Sequence, residues 1–105
     1  MEKEFFGEAK VNVEDDVPYE MRLSYYITVT SVSEEYCDLK FYGVEIDKEA
    51  CYADGSRETE KKMLSDLFFN KEECRRFAQK LLDNEVTPIG LKYVVREYIG
   101  EKVHI

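Results

Sequence analysis

Apolar and polar residues alternate without a break across residues 17–32. Tyr19, Met21, Leu23, Tyr25, Ile27 and Val29 fall on one side, and Glu20, Arg22, Ser24, Tyr26, Thr28 and Thr30 on the other. A period of two over this length predicts a strand with one buried and one wetter face. A strand over residues 4–13 precedes it, joined through EDDVP. SVSEE then turns the chain into a third strand over residues 36–53. There the apolar phase changes: Cys37, Leu39 and Phe41 share one side, whereas Tyr42, Val44 and Ile46 share the other. This predicts a bulge near Phe41-Tyr42-Gly43, where the glycine suits it.

Asp54-Gly55 reads as a two-residue hairpin loop. It returns the chain as a fourth strand over residues 56–66. Residues 56–68 also fit one face of a helix, through Met63, Leu64, Leu67 and Phe68, so the pattern leaves both open. Pairing across the loop gives mixed support. It sets Ile46 opposite Met63 and Asp47 opposite Lys62, but also Lys48 opposite Lys61 and Glu49 opposite Glu60.

After residue 69 the period lengthens. Asn70 followed by Glu73 makes a capping-box-like start, and Cys74, Phe77, Ala78, Leu81 and Leu82 form an apolar stripe. Thr87 is the expected N-cap of a second helix, with Pro88 in its first turn. Leu91, Val94, Val95, Tyr98 and Ile99 make its stripe, and Gly100 is its expected stop. Strands followed by helices predict an α+β fold. The expectation is an antiparallel meander of about four strands with a C-terminal two-helix hairpin packed on one face. At 105 residues the chain reads as a single domain, 1–105, with strands in 1–69, two helices in 70–100 and a tail at 101–105.

Composition adds limits. Apolar residues make up 44% of the chain, enough for one core without a metal or disulfide staple. The net charge is −8. Residues 1–69 hold 17 acidic against 8 basic side chains, and residues 70–105 hold 6 against 7. Such a chain is repelled by phosphate backbones and anionic lipid, so neither duplex DNA nor a membrane is an expected partner. The three cysteines, Cys37, Cys51 and Cys74, are odd in number and lack metal-like spacing. They read as free thiols of a reducing compartment. With no signal-peptide pattern and no membrane-span run, the expected location is cytoplasmic. Cys74 and Cys37 read as small core residues, and Cys51 shares a side with Glu45, Asp47 and Glu49.

The stretch NEVTPIGLKYVVREYI (residues 84–99) invites a helix-turn-helix reading. Such a motif inserts the first residues of its second helix into the major groove. Here those are Pro88, Ile89 and Gly90, and none makes a bidentate contact to a base edge. Two apolar stripes laid on the sheet as an αα-hairpin explain the turn better. His104, the only histidine, sits next to the C-terminus with no group to orient it. No catalytic, cofactor or metal motif occurs. A non-enzymatic protein is therefore expected, with no cofactor and no metal.

The leading expectation is a protein–protein interaction module. The alternatives are a nucleic-acid-binding regulator using the 71–99 hairpin and an enzyme with an unrecognised site. If Asp54-Gly55 forms a two-residue turn, Glu45, Asp47, Glu49, Glu58 and Glu60 crowd one face of the hairpin. That makes them a candidate docking patch for a basic protein partner, and homo-oligomerisation stays open. The plainer reading is a solvated face that discourages edge aggregation.

YGVEI (residues 42–46), NEVTPIGLKYVVREYI and the opening EKEFFGEAKV resemble a family of small uncharacterised domains of Firmicutes, clostridial in type. The resemblance covers most of the chain and rests on structural motifs: strand, glycine, helix cap and helix stripe. It implies no activity or ligand, so no functional residue carries over. That family places Ser or Thr where Asn70 stands and often an acid where Arg96 stands.

Overall fold

Strict alternation fixes the architecture. In the computed structural model, which describes residues 1–14, 19–35 and 37–102, six elements follow in order. They are β1 (Glu2–Val13), β2 (Tyr19–Glu34), β3 (Cys37–Tyr52), β4 (Arg57–Phe68), α1 (Lys71–Asp83) and α2 (Leu91–Lys102). Each strand pairs antiparallel with the next, in the order β1-β2-β3-β4, so the sheet is a meander. Of residues 56–68, which fitted two patterns, Arg57–Phe68 form a strand. The EDDVP turn beyond Glu14, Tyr36 and the His104 tail lie outside the described residues.

Three expectations need correction. SVSEE turns the chain only at its last residue: β2 continues to Glu34, paired with Cys37, and Glu35 lies in the turn. The β2–β3 ladder runs without a shift from Tyr19↔Tyr52 to Glu34↔Cys37, so β3 carries no bulge against β2. A bulge does stand at Gly43, where the β3–β4 register shifts between Tyr42 and Val44, but its extra residues belong to β4. Tyr42 pairs with Phe68 and Val44 with Leu64, which leaves Ser65, Asp66 and Leu67 opposite Gly43 alone. Asp66 there takes a left-handed φ of 58°. A Cβ on residue 43 would press against the Leu64 carbonyl oxygen and the Ser65 Cα, so the bulged backbone can lie this close only over a glycine.

The third correction concerns α2. It starts at Leu91, not at Pro88, and runs through Gly100 to Lys102. Before it, the Gly90 N–H donates to the Thr87 carbonyl at 3.0 Å and the Leu91 N–H to the Pro88 carbonyl at 3.4 Å. These three-residue turns occupy the place where Thr87 was expected to cap the helix. Pro88 suits the turn as it would a first helical turn, because its φ is preset.

The first helix forms as its pattern requires. The Asn70 side chain accepts from the Glu73 N–H at 3.1 Å. At the other end Glu85 is left-handed, with φ 50°. The Val86 N–H donates to the Leu81 carbonyl at 3.0 Å and the Glu85 N–H to the Leu82 carbonyl at 3.1 Å. That is a Schellman closure with glutamate where glycine is usual. The Tyr25 hydroxyl donates to the Val86 carbonyl at 2.8 Å and ties this closure to the sheet. Burial raises the Tyr25 pKa, with Glu85 adding to it, so the hydroxyl stays a donor.

The core lies on one face only. Met21, Leu23, Tyr25, Ile27 and Val29 of β2 and Val44 and Ile46 of β3 meet Cys74, Phe77, Ala78 and Leu81 of α1 and Leu91 and Val95 of α2. Each fully buried Leu, Ile or Phe contributes about 1.5–3 kcal/mol of apolar transfer. The Cα framework measures 57 × 33 × 16 Å, one helix layer on one sheet. Among the described residues nothing packs on the other face, and no helix is long and apolar enough to cross a membrane.

Candidate interaction surface

The uncovered face follows from register. Directly paired residues point to the same side, and a slip of one residue moves them to the other. The β3–β4 loop is one residue longer than Asp54-Gly55 alone. The Gly55 N–H donates to the Tyr52 carbonyl and the Tyr52 N–H to the Ser56 carbonyl, both at 3.0 Å. Gly55 has φ +90°. Three residues, Ala53, Asp54 and Gly55, thus close the hairpin, as a turn followed by a left-handed glycine. Asp54 adds to it by accepting from the Ser56 N–H at 2.8 Å and the Ser56 hydroxyl at 2.6 Å. These bonds hold its carboxyl below the usual range.

The extra residue dissolves the five-carboxylate patch. Glu45 faces Met63, Asp47 faces Lys61, Glu49 faces Thr59 and Cys51 faces Arg57. Glu45, Asp47 and Glu49 therefore stand on the uncovered face among cations. Glu58 and Glu60 pair with Ala50 and Lys48 and stand on the helix side. There Lys48 Nζ lies 3.6 Å from Glu60, and the Tyr52 hydroxyl donates to Glu58 at 2.8 Å. Both like-charge pairs implied by the shorter loop disappear.

On the uncovered face the charged half lies toward the β3–β4 loop. Arg22 reaches Glu8 at 3.3 Å and Arg57 reaches Glu49 at 3.6 Å. The Cys51 thiol, half-buried, donates to Glu49 at 3.7 Å. Further along, Lys3 crosses β2 over the Tyr26 ring, 4.5 Å from its centroid, and meets Glu45 at 2.9 Å. Glu45 is only 5% exposed although no helix covers it, because Lys3 and its strand neighbours bury it. Burial pushes its carboxyl up, but the hydrogen bonds from Lys3 and Asp47 and the Lys3 charge outweigh that and hold it below the usual range. Asp47 moves the other way: burial, the bond to Glu45 and the Glu45 charge raise it. Of the two carboxyls, Asp47 is thus the one more readily protonated, with Lys3 and Lys61 favouring the charged form of both. The Thr28 hydroxyl, also fully buried, has no partner among the described residues.

The other half of this face is apolar. Val32 pairs with Leu39, and the Phe41 ring packs against Phe69 at 5.1 Å. Leu39 is 42% exposed and Phe69 is 77% exposed. Met63 and Phe5 are exposed too, with Phe5 edge-on to Tyr26 at 5.6 Å. Cys37, expected in the core, is exposed at this end. The change of apolar phase in β3 has its cause here. It marks where apolar residues pass from the uncovered face to the covered one, with the strand itself unbroken. Beyond Phe69 the surface continues into a groove of about 250 Å³ lined by Leu67, Phe68, Tyr98 and Ile99 together with the polar Asn70 and Glu73.

Cys74 is inert: its thiol donates to the Gly43 carbonyl at 3.3 Å, and burial pushes it up to about 12. No group of three metal-ligating side chains occurs among the described residues. No curated protein and no solved structure matches the chain. The model of the DUF6514 family, a family of unknown function, matches residues 3–101, and the chain belongs to that family.

Proposed function

We propose that this domain is a non-enzymatic protein-interaction module that docks a partner protein on the apolar end of its uncovered sheet face. One observation carries the reading. Val32, Leu39, Phe69 and Ile99 are all exposed around one end of a chain that is 36% charged, and the exposed Met63 stands opposite Glu45 at the margin. Contiguous apolar surface of this kind marks a protein contact more often than a bare surface. The neighbouring carboxylates have their own cations, which removes the reason to expect a basic partner. Lys3, Arg22, Arg57 and Lys61 instead form the polar rim that sets orientation.

The test is affinity purification from the native cell with cross-linking and mass spectrometry, using wild type and a Leu39→Ser/Met63→Ser/Phe69→Ser variant. The expected result is a companion cross-linked near residues 37–41 and 63–69, lost from the variant while its denaturation midpoint stays close to wild type. A second copy of the chain captured at these residues would make the partner the protein itself. Recovery of the same companions at the same yield from the variant would refute the docking surface. Retention of nucleic acid instead, dependent on Arg75, Arg76 and Lys80, would favour the helical hairpin.

A further inference from the structure

Away from the apolar end, a second concavity of about 430 Å³ lies between β4 and the start of α2. It is lined by Glu60, Lys61, Lys62, Pro88, Ile89 and Lys92. Its charge is the reverse of the chain's. Three lysines face one glutamate, and that glutamate lies 3.6 Å from Lys48. Lys62 and Lys92 have no ion pair among the described residues, and Lys61 is shared with Asp47 across the ladder. The first turn of α2 holds no acidic residue to offset the lysines. Ile89, 71% exposed, and Pro88 supply an apolar shelf beside them. β4 is also the outer strand of the sheet, so one side of its backbone is free to pair.

We propose that this groove binds an extended acidic peptide segment of a partner protein, laid along the free edge of β4. Side chains of an added strand alternate between the two faces. Lys61 and Lys62 stand on opposite faces of β4, so carboxylates on either side of the peptide meet a cation. An apolar residue on the helix side meets Ile89, and Lys92 closes that side. Backbone pairing gives affinity and the alternating contacts give specificity, as in other strand additions. A nucleic acid would find the lysines but could use neither the strand edge nor the apolar shelf. A chain of net charge −8 also repels a long polyanion more than a short peptide.

The inference does not rest on the apolar docking surface: the two sites share only Lys61, at the rim of one and the edge of the other, and the residues tested here, Lys62, Ile89 and Lys92, line the groove alone. The experiment is fluorescence anisotropy of a labelled peptide of alternating Glu and Val with the full chain. Saturable binding is expected, weakening as salt rises. Lys62→Glu/Lys92→Glu should weaken it by about tenfold or more, and Ile89→Ser should weaken it at every salt concentration. Lys10→Glu, the same kind of charge change on β1, should leave it unchanged. Amide shifts should concentrate on residues 57–62. Three results would each overturn the proposal: no saturable binding at millimolar protein, equal loss in Lys10→Glu, or equal binding of a Lys–Val peptide. Tighter binding of a single-stranded oligonucleotide with the same lysine dependence would overturn it in favour of nucleic acid.

Discussion

The two faces of the sheet are made by the same four strands, yet they are held together differently. On the covered face Leu23, Ile46 and Leu81 have no exposure at all, and cohesion comes from packing. On the uncovered face it comes from spaced pairs: Lys3 with Glu45, Arg57 with Glu49, Phe41 with Phe69. Exposed ion pairs contribute about 0–1 kcal/mol and cross-strand pairs about 0.2–1 kcal/mol. One face therefore carries most of the stability.

The sharpest way to break this contrast is to cut one residue from each face. Leu81→Ala should cost about 3 kcal/mol, through lost transfer energy and a residual cavity. Leu39→Ala on the open side should stay within about 0.5 kcal/mol. Chemical denaturation of both variants measures the difference. Equal losses would mean that the open face carries a hidden share of the core.

Gly43 joins the two faces. Its carbonyl accepts from Cys74 on the helix side, and a Cβ on its open side would lie 2.8 Å from Thr28 Oγ1 as well as against backbone of β4. Gly43→Ala should cost about 2 kcal/mol by overpacking, with loss of amide protection around residues 64–68. A midpoint like wild type would show that the β4 bulge moves aside freely.

The helix lid sharpens the comparison at smaller scale. Asn70→Ala removes the side-chain acceptor of the Glu73 N–H and should lower stability by about 1 kcal/mol. Thr87→Ala should cost less, since backbone turns precede α2 there. The same measurement ranks the two, and the reverse order would restore Thr87 as the cap.

Much of this arrangement was legible in the chain. Alternation placed the core side of β2, the Asn70 start and the stripe from Cys74 to Leu82 placed α1, and the element order gave the meander with two helices. What failed was parity. Asp-Gly marks a hairpin whether two or three residues close it, and Ala53 as the third moves every side chain of β4 to the other face. Glu58 and Glu60 left the candidate patch for that reason alone. The apolar end was visible as a change of phase, but alternation does not say which face will be covered. The same signal therefore read as a bulge. The Lys62–Lys92 groove was not legible, because it joins a strand and a helix whose contact depends on packing.

The smallest expected effect concerns the carboxyl pair of the open face, Glu45 and Asp47, whose members act oppositely on stability. Asp47 is held above its ordinary pKa of 3.8, first by burial and then by Glu45. In the unfolded chain it ionises freely. Folding with Asp47 charged therefore costs stability as pH rises above the unfolded value, and the cost levels off past the raised folded value. Glu45 runs the opposite way. Its lowered pKa contributes stability above its unfolded value, which is lost as pH falls through its folded value. Asp47→Asn removes the penalty and leaves Lys3 on Glu45. The variant should show a slightly higher denaturation midpoint than wild type near neutral pH, and the gap should close as pH falls below the ordinary Asp value. An equal or lower midpoint at neutral pH would mean that Lys61 fully offsets the burial of Asp47, and that this face is held by ordinary ion pairs throughout.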